Sequence, residues 1–145
     1  MAHIIGNLQS VRGLGLTVYI GMPSILVPAL MKQNRLVPPP LEVFAMIDTG
    51  SSFTVITPRV RQHLGIRRYS RADVYEVGRK GPQRHDLYKI NLHLTKDHPE
   101  ARLQNISVQE SPLDGQPFDC LIGLDVLEYT TLTLVGPTMA WSLSI

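Results

Sequence analysis

The residues with the most chemical potential in this chain lie in one run, Asp48-Thr49-Gly50-Ser51-Ser52. The run follows directly on the apolar stretch 41–47. An ionised carboxylate is costly in such a place, because it must recover its lost hydration from hydrogen bonds. Gly50 allows the backbone to turn sharply and approach the carboxylate, while the Thr and Ser hydroxyls and local N–H groups can hold it in one orientation. Asp-Thr-Gly is also an ordinary turn sequence, so the tripeptide alone is suggestive only. The chemistry open to it is proton transfer. One ionised carboxylate can take a proton from water while a second, protonated one polarises a carbonyl. The sequence has one Asp-Thr-Gly and no second Asp-Thr/Ser-Gly. A pair of such groups therefore requires a second copy of the chain, related by a two-fold axis.

Other candidates have simpler accounts. Asp125, just after Gly123-Leu124, stands at a helix start, where a carboxylate compensates free N–H groups and the helix dipole. The five histidines show no His-Glu-x-x-His spacing and the single Cys120 cannot complete a cluster, so neither a metal nor a cofactor is expected. No Gly-x-Ser-x-Gly elbow surrounds Ser51 or Ser52, which are expected to support Asp48 instead. Residues 45–52 match locally the phosphate loop of actin-like and sugar-kinase ATPases. Those proteins need two large lobes and a second Asp-x-Gly turn, and this chain has neither.

The elements that must position Asp48 are mostly strands. Residues 14–21 are β-branched and aromatic between glycines, a first strand. Residues 24–31 contain Pro28 and suit an edge strand or a short helix. Pro38-Pro39-Pro40 delivers an extended chain into 41–47, which is apolar on both parities after Glu42 and reads as a strand covered on both faces. The chain resumes at 53–56, and Thr57-Pro58 marks a helix with Thr as cap, running to Leu64 and stopping at Gly65. Two β-rich arms, 72–77 and 87–94, flank a Gly-rich, charged tip at 78–86. A strand at 105–109, a loop at 111–117, a strand at 118–122 and a short helix at 125–129 follow. Closing strands at 131–135 and 139–143 are separated by Gly136-Pro137.

This order, an apolar strand into Asp48-Thr49-Gly50, a hairpin, then Leu121-Ile122-Gly123 leading into a short helix, resembles the retropepsin-like aspartic peptidases over about residues 41–129. The first 40 residues carry no resemblance. The family likeness implies an all-β, closed acid-protease-like barrel with a flap hairpin and one or two short helices. It also implies a symmetric homodimer acting on peptide or protein substrates. Each protomer would supply Asp48 as catalytic carboxylate, with Thr49 bonding across the axis and Gly50 aligning the carboxylate. Val77, Gly78, Arg79, Lys80 and Gly81 would form the flap over an extended substrate. Two features depart from the family pattern: the charged tip, and Leu124 where many members carry Arg. A catalytically weak or inactive relative that dimerises or binds peptide is the alternative.

Composition bounds the rest. At 145 residues and 43% hydrophobic, the chain is sized for one domain, 1–145. The terminal strands, 14–21 and 131–143, are the expected interface or barrel-closing elements. A net charge of +2 with short, interrupted basic stretches argues against a nucleic-acid partner. No run suits a signal peptide or a membrane span, and the lone Cys120 in an apolar run suits a buried thiol, so a cytoplasmic setting is the expectation.

Overall fold

The computed structural model describes residues 1–8 and 13–145. The chain runs β1 (His3–Asn7), β2 (Gly15–Gly21), α1 (Val27–Lys32), β3 (Leu41–Ile47), β4 (Val55–Ile56), α2 (Pro58–Leu64), β5 (Ser70–Tyr75) and β6 (Pro82–His93). It continues β7 (Arg102–Glu110), β8 (Cys120–Ile122), α3 (Leu124–Leu127), β9 (Thr131–Val135) and β10 (Ala140–Ser144). Single 3₁₀ turns fill several connections.

Seven strands form one sheet in the order β2-β3-β8-β4-β7-β6-β5, and a further pairing of β2 with the next-to-last strand, β6, closes it on itself. That pairing, Tyr19 to Gly21 against Asn91 to His93, turns six of the strands into a ring and leaves β5 as an outer arm on β6. Val18, Ile20, Ala45, Ile90, Leu92 and Ile122 fill its interior, all fully buried. The expectation for β3 is met in detail. Val43, Ala45 and Ile47 are buried on one face, and Phe44 and Met46 are half-buried on the other. Gly15 makes room for that second face, since a Cβ there would stand 2.3 Å from the Phe44 ring. Cys120 is fully buried, and burial pushes its thiol up to about 12, with Asp125 and Asp119 adding to the effect.

A second sheet of three strands, β1-β10-β9, gathers the two ends of the chain. Its first strand was not legible as one: His3–Asn7 is short, and its partner lies at the far end of the sequence. Segment 24–31 resolves as a 3₁₀ turn followed by α1, with Pro28 in the first helical turn where its missing N–H costs nothing, and Lys32 in the last turn. This makes three short α-helices among the described residues where one or two were expected. Of the expected closing strands, 14–21 is a barrel strand, whereas 131–143 builds the terminal sheet.

Helix α2 keeps its expected bounds and stops at Gly65, whose φ of 63° is the left-handed conformation that favours glycine. Thr57, however, does not cap it through its side chain. Its hydroxyl donates to Asp119 at 2.7 Å instead. No described helix is long and apolar enough to cross a membrane.

Candidate active site

Asp48 ends β3 at a crossing of two loops. β8 lies between β3, parallel to it, and β4, antiparallel to it. The chain must therefore leave β3, pass over the end of β8 and return as β4 on its other side. Residues 48–54 make that passage. The Asp48 N–H donates to the Ile122 carbonyl at 2.9 Å, which fixes the start of the turn on β8.

Beneath the turn, the chain leaving β8 passes so close that position 123 tolerates only glycine. A Cβ on Gly123 would lie 2.6 Å from the carbonyl carbon and oxygen of Phe53 and 2.9 Å from the Ser51 oxygen. Hydrogen bonds then tie the two loops. The Leu124 N–H donates to the Ser51 carbonyl at 2.8 Å, and the Gly123 N–H to the Thr54 hydroxyl at 3.1 Å. Thr54 is fully buried, and its own N–H and hydroxyl donate to the two carboxylate oxygens of Asp125 at 3.0 and 2.7 Å.

Asp125 stands in the first turn of α3, where its charge faces the helix dipole as expected, but its oxygens do not bond the free N–H groups of the helix. No side chain caps α3, and the Asp125 carboxylate serves as the acceptor that locks Thr54 in place. Thr54 is the positioning residue that the sequence did not reveal. The available signal was a hydroxyl in an apolar run, paired with an acid in the other apolar block.

At the surface of this platform the Gly50 N–H donates to Asp48 Oδ1 at 2.8 Å, while Thr49 and Gly50 are exposed. A Cβ on Gly50 would stand 3.1 Å from that oxygen, so the residue gives the carboxylate its room. The serines behave differently from expectation: Ser51 donates its hydroxyl to the Phe53 carbonyl at 2.7 Å, and Ser52 is exposed, so neither hydroxyl is bonded to Asp48. Half-buried Asp48 therefore presents a carboxylate oriented by a backbone amide, on a surface open to whatever faces it.

Beside the turn lies a cleft of about 570 Å³, walled by Ser51–Phe53 on one side and by the β5 end of the hairpin on the other. The hairpin is tighter than the sequence suggested. Arg84, His85 and Asp86 lie in β6, paired with Asp73, Ala72 and Arg71, so the tip comprises residues 76–81. Gly78 and Gly81 turn it with φ of 81° and 73°. The hairpin reaches the cleft through Asp73, Val74, Tyr75, Glu76 and His85, while Val77, Gly78, Arg79, Lys80 and Gly81 sit beyond it, all exposed. His85 meets Glu76 at 2.5 Å across the root of the tip. The described residues include no group of three or more His, Cys, Asp or Glu placed to hold a metal ion.

The family model described as aspartyl protease matches residues 41–126, which is β3 through α3 and more than half of the chain. The chain belongs to the aspartyl protease family. Its fold is similar to that of a retropepsin-like aspartic protease from Rickettsia conorii, with a TM-score of 0.60 at 14% identity over 98% of this chain and 89% of that one. It is also similar to the EIAV protease solved with an inhibitor, with a TM-score of 0.50 at 18% identity over 82% of this chain and 88% of that one. No curated protein matches the sequence. The retropepsin-like resemblance and the mostly-β acid-protease fold are thereby established, and the aspartyl protease match begins at β3, the strand that delivers Asp48.

Proposed function

We propose that this chain is an aspartic endopeptidase assembled as a homodimer, with one Asp48 from each protomer. The observation that carries the proposal is the exposed Asp48-Thr49-Gly50 turn. It holds one carboxylate on a braced platform, with Gly50 bonded to Oδ1 and Thr49 facing outward. One such turn is half a site. Two brought together across a two-fold axis place like charges in contact, so one carboxyl stays protonated and the other ionised, as in aspartic proteases generally. The ionised Asp48 takes a proton from water as the water oxygen attacks the peptide carbonyl, and the protonated Asp48 donates to the carbonyl oxygen. Proton transfer to the amide nitrogen then releases the two fragments.

Dimerisation has surfaces available to it. β1 and β9 are the outer strands of the terminal sheet, and Ile5 and Leu134 on them are 82% and 54% exposed. The indole N–H of Trp141, buried between these strands in β10, has no acceptor within the described chain. In the assembled enzyme Val77–Gly81 close over an extended substrate and Thr49 bonds across the axis. The cleft favours substrates with a basic side chain, because Asp73 and Asp114 line it without any ion-pair partner among the described residues.

The test is digestion of a peptide library across pH, with and without a statine-type inhibitor, alongside sedimentation. Asp48→Asn is expected to abolish cleavage and leave the dimer in place. Undiminished proteolysis by that variant, or cleavage by a strict monomer, overturns the reading.

A further inference from the structure

Away from the Asp48 turn and from the terminal sheet, a groove of about 840 Å³ runs between α1 with its trailing segment and the C-terminal end of α2. The apolar residues that line it include Ile25, Leu26 and Leu36, which are 69%, 40% and 94% exposed. Isolated apolar residues on a surface mean little, but a contiguous apolar hollow of this size marks a place where something binds.

The walls are cationic. Four of the chain's 14 Lys and Arg line the groove, namely Arg35, Arg67, Arg68 and Lys89, whereas none of its 12 Asp and Glu does. Arg68 is committed to Asp86 at 3.2 Å, outside the groove, and Lys89 lies 4.7 Å above the Tyr69 ring. Arg35 and Arg67 are exposed, and neither has an ion-pair partner among the described residues. Two uncompensated guanidinium groups beside apolar surface cannot serve stability through salt bridges, yet they match a carboxylate held against them.

The groove is built, not a gap under a loose loop. Asn91, 2% exposed at the β6 bulge, accepts from the Ser24 N–H at 3.3 Å and the Asn105 N–H at 2.9 Å. It also donates to the Ser24 hydroxyl at 2.8 Å, and Asn105 accepts from the Ile25 N–H at 3.0 Å. These bonds pin the start of the segment that carries Ile25 and Leu26 to the barrel. At the other wall, His63 is joined to the Pro39 carbonyl at 2.9 Å, which ties the end of α2 to the segment leading into β3.

We propose that this groove is a docking site for a peptide segment of another protein, with bulky apolar anchors flanked by Asp or Glu. The apolar residues seat in the hollow and the carboxylates meet Arg35 and Arg67. A concave hollow lined by cationic side chains suits a segment entering it better than a flat anionic membrane lying over it. The site is separate from the cleft beside Ser51–Phe53, so the proposal stands whether or not the chain cleaves peptides.

The experiment uses the full chain carrying Asp48→Asn, so that no probe is cut. Three fluorescein-labelled octapeptides of alternating residues serve as probes: Leu or Phe with Glu, the same with Gln, and the same with Lys. Binding is followed by anisotropy, and the contact surface by amide shifts in NMR. Phosphatidylserine vesicles form a fourth arm. The Glu peptide is expected to bind best, to weaken with added salt, and to shift amides in 22–38 and 63–69 but not in 48–54. Joint Arg35→Glu and Arg67→Glu should weaken it by about tenfold or more. Leu36→Ser should weaken it separately, with unchanged thermal melting in each variant. Equal binding of the Lys peptide, shifts confined to the cleft, indifference to the charge reversal, or binding of the vesicles without the peptide overturns the proposal.

Discussion

Two buried polar hubs hold loops against this barrel, and they differ in charge. Near Asp48 the hub is ionic: the Asp125 carboxylate takes both donors of Thr54, and the Thr54 hydroxyl takes the Gly123 N–H. Near α1 it is neutral: the Asn91 amide joins Ser24 to Asn105. Hydrogen bonds to a charged acceptor are shorter and about twice as strong as neutral ones. The stronger hub therefore lies under the turn that carries Asp48, and the weaker one anchors the segment that carries Ile25 and Leu26. Each hub also adjoins a hollow with unpaired charge, of opposite sign. Asp73 and Asp114 face the cleft, and Arg35 and Arg67 face the groove.

The comparison breaks first at its tightest point. Gly123→Ala puts a methyl group into the Phe53 backbone, which cannot rotate away as a side chain could. A loss on the order of 4 kcal/mol is expected in urea unfolding, large for a single methyl group. A loss under about 1 kcal/mol would mean that the two loops are not locked as described.

Next come the hubs themselves, compared through isosteric changes. Thr54→Val removes the hydroxyl that serves both Asp125 and Gly123, and should cost about 3 kcal/mol because a charged acceptor and a buried N–H lose their partner. Asn91→Leu leaves the part-buried Ser24 and Asn105 N–H groups unmet, and should cost about 2 kcal/mol. Activity separates them further. Per folded molecule, Thr54→Val should lose peptide cleavage while Asn91→Leu keeps it. Equal losses of activity would erase the functional difference drawn between the hubs.

How much of this was legible in the sequence follows from the range of the interactions. Residues 41–50 declared themselves because a doubly apolar strand ending on Asp-Thr-Gly is a local pattern. Helix α2 did so through Pro58 and Gly65. Thr54 could not, because its role exists only once β8 is threaded between β3 and β4 and brings Asp125 to it. The same holds for β1, whose pairing with β10 spans nearly the whole chain. Arg84, His85 and Asp86 looked like tip residues because charge and exposure go together in turns. In the fold Asp86 is instead a strand residue, bonded to Arg68 and Arg71 at 3.2 and 2.9 Å. The groove was illegible for a related reason: Leu36, Arg35 and Arg67 are unremarkable until the fold brings the segment after α1 and the one after α2 to line one hollow.

A smaller effect sharpens the contrast between the hollows. If Asp73 sets the charge preference of the cleft, Asp73→Lys should shift the ratio of kcat/KM for Lys-containing over Glu-containing peptides by about tenfold toward Glu. Docking of acidic segments in the groove should not change. A parallel change in both would show that net charge, not the local hollow, governs recognition.

The smallest expected effect is a pH dependence at the neutral hub. His93, two residues from Asn91 in β6, is held below its usual value of 6.5, first by burial and then by Arg102, its cross-strand neighbour. Arg102 also donates to the Ser24 hydroxyl at 3.2 Å, so a charged His93 would repel the residue that helps hold the hub. Protonation is easier in the unfolded chain than in the folded one. The contribution of the neutral ring is therefore complete above pH 6.5 and shrinks as the pH falls toward the depressed folded value. Urea midpoints at pH 7.5 and 5.0 should differ, and His93→Gln should remove the part of that difference that begins below 6.5. Because the ring is half-exposed the shift should be slight, and groove binding of the acidic octapeptide should follow it more closely than peptide cleavage does. Cleavage that tracks the His93 titration would join the two ends of the barrel, which the separate hubs keep apart.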